Sequence, residues 1–576
     1  MSTQPHPHPG ASPDVRPPGP PGGGVTVRPT QTRRGRARSG EAWVWFTGSA
    51  LGISILMIVG LILVILFNGL GFFWPQTLDK VALDDGSVWL GQVVAREPIP
   101  HPGTPEHNLA HRIQLKVGNR DLLGFDFKWI DEKSVVSRER PGDAFYVERR
   151  EYGPLLGTPE RIKEGERVLA EGTEATWQAL RPLIAKADRD RDRIREIEKD
   201  EIGAINHRIE QARLEGRRID LEAARQPGRD FSRQRAEVEK KIAGQQAQYA
   251  EKQKELEKVM EGAASTWVTF RTASGQEKDL RTLDVYRAYP ANTLGWFSRA
   301  GVYFSRLWEF VSDDPRESNT EGGIFPAIFG TVMMVFLMAV AVVPFGVLAA
   351  LYLREYARQG PLVRTVRIAV NNLAGVPSIV FGVFGLGFFV YFLGGTIDQL
   401  FFAEALPSPT FGTGGILWAS LTLSLLTVPV VIVASEEALA AVPRSVREAS
   451  LATGATKWQT IQRVVLPAAA PGILTGLILA MARGAGEVAP LMITGVVKLA
   501  PQLPLDGFFP FFHLERKFMH LGFHIYDVGF QSPNVEATQP LVFATALLLV
   551  IVVVVMNLVA VIVRNRLRSR YATSAV

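Results

Sequence analysis

The chain of 576 residues contains no cysteine. This absence excludes disulfide frameworks, cysteine-ligated zinc, iron–sulfur clusters and thiol catalysis. The dipeptide Gly-Lys is also absent, so the chain lacks the Gly-Lys-Ser/Thr loop that cradles the phosphates of ATP. Long stretches carry no charge, although charged residues make up 21% of the whole. These stretches exclude a soluble globular protein.

Six of the weakly charged stretches are long enough to cross a membrane as helices, which takes about 20 apolar residues. They are residues 42–78, 322–353, 368–397, 405–435, 471–497 and 537–563, of which the fifth contains only Arg483 and Glu487. The first helix is placed at 42–74, and residues 405–415, rich in Pro and Gly, are expected to form a loop. The sequence therefore predicts an α-helical polytopic membrane protein.

Arginine and lysine cluster in four segments that alternate correctly with these spans. The segments are the tail 1–40, the connections 354–367 and 436–463, and the tail 564–576. Because basic segments stay in the cytoplasm, both termini are predicted to be cytoplasmic, in a cell (inner) membrane. This topology explains much of the positive charge behind the pI of about 9.3. The pI therefore does not imply a nucleic-acid partner, and none is expected. The tail 1–40 is rich in Pro and is expected to be disordered.

Residues 79–321 form a predicted extracytoplasmic insert of two compositions. Residues 79–180 and 265–288 alternate apolar and polar side chains over short runs, which predicts a small β domain. Residues 181–260 are nearly half charged, with apolar residues at intervals of three and four around Pro227-Gly228. This pattern predicts an antiparallel coiled-coil hairpin. The hairpin is either a partner-binding arm or a solvated spacer.

The connection between the fourth and fifth helices, residues 436–467, has a pattern of its own. Pro443 suits the first turn of a helix, and Gly454 permits the left-handed backbone that ends one. A second amphipathic helix follows, with Trp458 and Val464 at helical spacing. The pattern predicts a helix–turn–helix on the cytoplasmic side. An amphipathic loop lying on the membrane is the alternative.

This connection resembles the EAA loop of ATP-binding-cassette (ABC) importers. The family spacing is Glu-Ala-Ala, three residues, Gly, nine residues, an aliphatic residue, one residue and Leu-Pro. Here it reads Glu448-Ala449-Ser450, Gly454, Val464 and Leu466-Pro467, with Ser for the third Ala. In that family the helix before the glycine docks into a groove of the ATPase subunit. The resemblance implies an ATPase-coupling role for Glu448, Ala449, Ser450, Gly454, Ala455, Thr456, Leu466 and Pro467.

Other segments resemble the phosphate-specific permeases of this class. They are residues 371–382, 482–491, 352–357 and 556–566, the last two looking like the A subunit. The resemblance covers about residues 323–570 and implies the type I ABC importer permease fold, with six transmembrane helices, for 323–563. It also implies that this chain moves inorganic phosphate into the cytoplasm, performs no covalent chemistry and binds no cofactor.

The resemblance implies four kinds of partner. They are a second, C-type phosphate permease subunit, two copies of a B-type ATPase that uses ATP-Mg, an extracytoplasmic phosphate-binding protein and the lipid bilayer. Two alternatives stay open. The substrate could be another oxyanion, such as sulfate, molybdate or a phosphonate, or the chain could be a membrane scaffold or sensor that acts through the outer coiled coil.

Arg483 and Glu487 are the strongest candidates for the substrate pathway. An ionisable residue within a membrane helix costs about 2.5–3.5 kcal/mol at its centre and normally faces protein or a water-filled path. Four residues apart on a helix, the two would share a face and pair, and an Arg fork suits phosphate oxygens. A purely structural salt bridge is the alternative. Asn371, Asn372 and Ser378 are added from the resemblance, and the histidines form no clear metal site.

Overall fold

The structure, a computed structural model, describes residues 39–99, 110–532 and 535–572. The predicted disordered tail therefore lies, up to residue 38, outside the described residues, as do the last four residues of the C-terminal tail. Helix α1, Ser39–Gly71, contains the first candidate membrane span. Residues from Leu63 onward form one compact unit, and residues up to Ile62 form another, of which only part of α1 is described.

Two antiparallel sheets form the β part of the insert. The first has the order β4-β3-β2-β1-β5 and consists of β1 Asp79–Leu83, β2 Val88–Pro98, β3 His111–Lys116, β4 Phe127–Asp131 and β5 Val135–Glu139, with the short helix α2, Arg120–Leu123, between β3 and β4. The second has the order β10-β9-β7-β6-β11, with β8 beside β7. Its strands are β6 Phe145–Arg149, β7 Leu155–Glu164, β8 Arg167–Glu171, β9 Thr266–Arg271, β10 Glu277–Arg281 and β11 Val285–Pro290. The β-rich composition is thus confirmed.

The helical part of the insert begins earlier than the composition indicated. Helix α3, Thr173–Arg195, continues through a π-helical turn into α4, Gly203–Arg225, and α5 spans Ser232–Ala264. The predicted β boundary at residue 180 is therefore wrong. Gly172, at φ 89°, turns the chain out of β8, and the Ala- and Leu-containing residues that follow favour helix.

Helices α4 and α5 lie side by side, and the short connection between them contains Pro227-Gly228. Ile219, Phe231 and Val238 are buried between them. Ion pairs join Lys241 to Glu215 at 3.0 Å and Arg235 to Asp220 at 2.7 Å. That the two helices form a regular antiparallel coiled coil, with knobs-into-holes packing, stays a prediction. We call α4 and α5 the arm.

The insert ends with an amphipathic helix that the sequence analysis did not assign. Helix α6 spans Trp296–Ser312 and is followed by a two-residue ladder of β12, Pro315–Arg316, and β13, Glu321–Gly322. The insert is bonded to the membrane domain at several points. The Gln114 side chain donates to Glu536 at 2.7 Å, and the Asn319 amide donates to the Lys498 carbonyl at 2.6 Å.

The membrane domain is built from helices that are frequently interrupted. They are α7 Phe325–Leu351, α8 Pro361–Leu373, α9 Ser378–Phe384, α10 Gly395–Phe401, α11 Ile416–Ala441, α12 Arg444–Ala452, α13 Lys457–Thr460, α14 Leu466–Gly486, α15 Ala489–Thr494, α16 Leu521–Tyr526 and α17 Val535–Ala572. π-helical segments extend α7 as far as Tyr356 and α16 as far as Gln531. Two others connect α9 with α10 and α13 with α14.

Within the described residues, six helical runs, one of them in α1, are long and apolar enough to cross a membrane, which agrees with the predicted number. They are Trp43–Gly71, Phe325–Tyr356, Ser378–Phe401, Ile416–Ala441, Lys457–Gly486 and Thr538–Ser569. The predicted start of the third span at 368 is wrong, because α8 ends at Leu373 and Pro377 blocks its continuation. Proline has no N–H to donate and disfavours helical backbone in the residue before it. The fifth span begins earlier than the predicted 471, since one helical run starts at Lys457.

Helix α11 is the centre of the membrane domain, packed between α7 and α14. Leu423 and Leu426 are fully buried beside Met338 of α7. On the other side Gly476 of α14 lies so close that a Cβ atom there would be 2.4 Å from the Ala434 Cβ. Small residues allow such close approach of membrane helices. The core thus fixes α7, α11 and α14 relative to one another.

Candidate functional site

The connection between α11 and α14 forms the predicted helix–turn–helix, which we define as residues 443–465. Gly454 ends α12 with φ 87° and open space around it, so its backbone conformation, and not crowding, requires glycine. Thr456 then caps α13. Its hydroxyl accepts from the Gln459 N–H at 3.2 Å, and its own N–H donates to the Gln459 side chain at 2.8 Å. This reciprocal capping box fixes where the second helix starts.

Glu355, at the end of α7, holds the helix–turn–helix to the membrane domain. Its carboxylate pairs with Arg447 of α12 at 3.1 Å, and its carbonyl accepts a hydrogen bond from the Lys457 ammonium. Lys457 also lies 4.6 Å from the centre of the Tyr356 ring. The Ser450 and Thr460 hydroxyls, 2.9 Å apart, join the two short helices directly. The sequence does not indicate these roles of Glu355 and Arg447, since Glu355 is marked there only as an acid among the arginines of 354–367.

The surface of this segment is unusually open. No residue of α12 is buried, and the apolar side chains of Leu451 and Trp458 are 48% and 53% exposed. The predicted coupling residues divide in two groups. Glu448, Ala449, Gly454 and Thr456 are exposed, Ser450 and Ala455 are half-buried, and Leu466 and Pro467 are half-buried at the start of α14. The first six thus belong to the open surface, whereas Leu466 and Pro467 begin a membrane helix.

Two interrupted helices lie side by side in the membrane domain. One is broken at 374–377, between α8 and α9, and the other at Glu487-Val488, between α14 and α15. Helix α9 packs on α15 so closely that a Cβ at Gly382 would be 2.7 Å from the Pro490 Cα. Broken helices free backbone polar groups, which membrane proteins tolerate where the groups are buried in protein or line a watery path.

Arg483 and Glu487 meet at the second of these breaks. The Arg483 Nε and Glu487 Oε1 atoms are 3.7 Å apart, and the side chains are 34% and 24% exposed. The prediction that they pair is confirmed, but not along one helix face. Helix α14 ends at Gly486, and Glu487 has extended backbone. In a continuous helix the ring of Pro490 would clash with the carbonyl of residue 486, and Pro490 has no N–H to donate to it.

The other predicted pathway residues lie elsewhere. Asn371 and Asn372 are exposed near the end of α8, and Ser378 is half-buried at the start of α9. Asn371 lines a cavity of about 160 Å³ together with Arg367, Glu436 and Glu437. Arg367 Nε lies 3.3 Å from Glu436 Oε1, so a second arginine–glutamate pair lines this cavity. In the sequence Arg367 indicates only topology, because its partner Glu436 is 69 residues away.

Helix α4 of the arm contacts the membrane domain both near the start of the helix and toward the tip of the arm. Arg218 pairs with Glu404 in the loop after α10, and this hydrogen bond lowers the pKa of the Glu404 carboxyl. The neighbouring Arg217 donates to the Leu406 carbonyl at 3.2 Å, and the His207 ring stacks on Phe508 at 4.8 Å. Residues 404–406 and 508 belong to the loops that precede α11 and follow α15.

Two histidines lie at the start of helix α16, directly after the loop that follows α15. His520 and His524 are buried, and desolvation lowers the pKa of each to about 4. Within residues 39–99, 110–532 and 535–572 no group of three or more His, Asp or Glu side chains could hold a metal ion.

Comparison with known proteins assigns the membrane domain to a family. Residues 342–571 match the model of the binding-protein-dependent transport system inner membrane component. The probable ABC transporter permease protein YqgI of Bacillus subtilis is 30% identical over 237 residues, which cover 40% of this chain and 74% of the relative. The chain belongs to this family of ABC transporter permeases and is a multi-pass inner-membrane protein.

The chain is also similar to a further permease and to a solved transporter structure. The phosphate transport system permease protein PstA 1 of Mycobacterium tuberculosis (strain CDC 1551 / Oshkosh) is 38% identical over 214 residues, or 37% of this chain. The chain spans 63% of that relative's length. Among solved structures, the inward-facing MetNI methionine ABC transporter is 20% identical and covers 46% of this chain and 98% of its own, with a TM-score of 0.29.

The ion pair at Glu355 predicts what happens when α12 is released. Glu355→Gln removes a charge from a half-buried pair, a loss between the roughly 1 kcal/mol of an exposed pair and the 3–5 kcal/mol of a buried one. Amide hydrogen exchange of residues 444–452 in the full chain should therefore accelerate by about tenfold or more. Glu448→Gln, an exposed carboxylate on the same helix, is the matched control. Equal exchange in the two variants would contradict the role of Glu355.

Proposed function

We propose that this chain is the transmembrane permease subunit of an ATP-driven ABC importer that moves inorganic phosphate into the cytoplasm. Family membership supports the class of transporter, and the relatives whose names include phosphate transport support the substrate. The observation that carries the proposal is the open helix–turn–helix. It is an apolar, exposed surface that is tied by Glu355 and Arg447 to the helices of the membrane domain.

In this proposal the helix–turn–helix receives the ATPase. Two copies of a cytoplasmic ATPase subunit, which bind and hydrolyse ATP-Mg, dock on this chain and on a second, homologous permease subunit. Both termini and the helix–turn–helix are then cytoplasmic, and the insert lies outside. This chain binds no cofactor and no nucleic acid, and an extracytoplasmic phosphate-binding protein delivers the anion.

The contacts of the segment give it mechanical connections to two spans. A displacement of α12 acts on α7 through the Arg447–Glu355 pair. A displacement of α13 acts on α14 directly, because one helical run extends from Lys457 to Gly486. Arg483 lies in the last turn of that run. ATP-driven movement at the cytoplasmic surface therefore reaches the broken helices through one continuous helical run.

Arg483 is the proposed phosphate contact. Its guanidinium presents a planar fork of N–H donors that matches two phosphate oxygens. The distance of 3.7 Å to Glu487 is longer than a charge-assisted hydrogen bond, so the fork is not fully occupied by its partner. The fixed carboxylate nearby opposes tight retention of an anion, which suits passage. The Arg367–Glu436 pair repeats the arrangement at the cavity beside Asn371.

The scaffold alternative is not favoured by the arm. Its residues Arg217, Arg218 and His207 contact loops of the same chain's membrane domain. We therefore assign the arm to the transporter itself, where it braces the loops before α11 and after α15. Sulfate, molybdate and phosphonate remain the alternative substrates, since an arginine fork accepts any tetrahedral oxyanion.

The turn at Gly454 provides the first test. Gly454→Val forces a β-branched residue into a left-handed conformation that costs about 1–2 kcal/mol even for ordinary residues. We expect the ATPase subunit no longer to co-purify and ATP-driven phosphate uptake in liposomes to fall by at least tenfold.

Gly275→Val is the matched control, because Gly275 also has positive φ (83°) and open space but lies in the insert. It should retain the ATPase. Normal co-purification and uptake with Gly454→Val would remove the support for ATPase docking at this turn.

Arg483 provides the second test. Arg483→Gln deletes charged hydrogen bonds worth about 1.5–3 kcal/mol, so uptake of radiolabelled phosphate should fall roughly 10- to 100-fold. Arg483→Lys, which keeps the charge without the fork, should be intermediate. Arg96→Gln, which breaks an exposed arginine–glutamate pair of the insert, should transport normally.

The same assay with sulfate separates the substrate from the site. A wild-type chain that takes up sulfate and not phosphate would overturn the substrate, whereas undiminished phosphate uptake by Arg483→Gln would overturn the site.

A further inference from the structure

Helix α6 presents three different faces to three surroundings. One face is tied to the β sheets by ion pairs, Arg306 to Glu148 at 2.7 Å and Glu309 to Arg287 at 2.9 Å. A second face packs on the ends of the membrane helices. Its residues Tyr303, Leu307 and Phe310 join a buried cluster that includes Phe73, Ile324 and Leu541. These two contacts fix the orientation of the helix firmly.

The third face is aromatic and uncovered. Phe297, Phe304 and Trp308 are 86%, 64% and 72% exposed. They are seven and four residues apart, which places them on one side of the helix. Trp296, the first residue of the helix, is also exposed, at 67%. Large aromatic side chains grouped in this way are uncommon on a surface that faces water.

The position of α6 along the membrane normal is set by its contacts. The Ile324 N–H donates to the Phe310 carbonyl at 2.9 Å, and the candidate span α7 begins at the next residue, Phe325. Phe73, two residues beyond the end of α1, stacks edge-on against Tyr303 at 6.4 Å. Helix α6 therefore lies beside the ends of two candidate spans, α1 and α7, where these helices leave the membrane.

The chemistry of the exposed face matches that level. Tryptophan and other amphipathic aromatic residues are enriched where hydrocarbon meets headgroups, and amphipathic helices lie in that layer with their apolar face in the acyl boundary. The cation nearest the start of the helix, Arg299, donates to the carbonyls of Pro75, Ala291 and Leu294. Its guanidinium is thus directed into the protein, and the exposed face offers apolar contact.

We propose that α6 is an interfacial helix that anchors the insert to the phospholipid bilayer through Phe297, Phe304 and Trp308. The ion pairs on its opposite side make α6 and the sheets one rigid piece. The lipid contact consequently sets the height and tilt of the insert, and with them the position of the arm that braces the loops before α11 and after α15. This anchoring rests on the membrane spans and does not depend on phosphate being the substrate.

The absence of cysteine makes a direct test simple. Trp308→Cys and Phe304→Cys, each labelled with a nitroxide in the full chain, are reconstituted in phosphatidylethanolamine–phosphatidylglycerol liposomes. Accessibility to apolar O₂ is compared with accessibility to a water-soluble nickel chelate by electron paramagnetic resonance. Val168→Cys on β8, an apolar side chain that is 48% exposed in the sheets, is the control.

We expect the ratio of O₂ to nickel accessibility at 304 and 308 to be several-fold higher than at 168, both for the chain alone and in membranes containing the whole transporter. A ratio at 304 and 308 equal to that at 168 would place the face in water and overturn the proposal. Labels in the whole transporter that are shielded from both reagents would show a protein partner on this face and would also overturn it.

Discussion

A single carboxylate-bearing residue connects the surface of this permease to its interior. Glu355 pairs through its side chain with Arg447 and accepts through its carbonyl from Lys457, so both helices of the helix–turn–helix are bound to the end of α7. No residue of α12 is buried, and its position therefore depends on polar contacts, not on a core. Such a segment can carry an apolar docking surface without collapsing onto the membrane.

The membrane domain carries one electrostatic motif at two places. Arg483 pairs with Glu487 where α14 is broken, and Arg367 pairs with Glu436 beside a cavity. In each case the separation exceeds 3.2 Å, and the arginine is about one-third exposed. An arginine whose partner is imperfectly placed can exchange it for an anion at a modest cost, while the carboxylate prevents the anion from being trapped. In the path that we propose for phosphate, weak contacts of this kind favour transport over storage.

The number of spans and the turn at Gly454 could be predicted from the sequence, because both follow from local chemistry. A long uncharged run crosses the membrane as a helix, because a helix satisfies all its backbone hydrogen bonds internally. Glycine between two amphipathic stretches marks a left-handed turn. The geometry of Arg483 and Glu487 could not be predicted from their spacing alone. Because Pro490 forces α14 to end at Gly486, the helix ends between Arg483 and Glu487. The two side chains therefore meet across a break and not along one helix face.

Long-range contacts were beyond the reach of local patterns. The arm's composition indicates a helical hairpin, but its contact with Glu404 joins residues far apart in the chain. Helix α6 follows strands that alternate apolar and polar residues, and its aromatic face is recognisable only once the two other faces are occupied. Glu355 had a sequence signal, a lone acid among arginines, whose meaning required the position of Arg447.

The central claim is that the helix–turn–helix is the surface through which a nucleotide-hydrolysing subunit moves the spans. A photo-cross-linking amino acid at Leu451, which is 48% exposed on α12, tests this most directly when cells expressing the whole transporter are irradiated. The account predicts a covalent adduct with the ATPase subunit whose yield changes when ATP hydrolysis is arrested. Adducts with lipid or with extracytoplasmic proteins alone would contradict it.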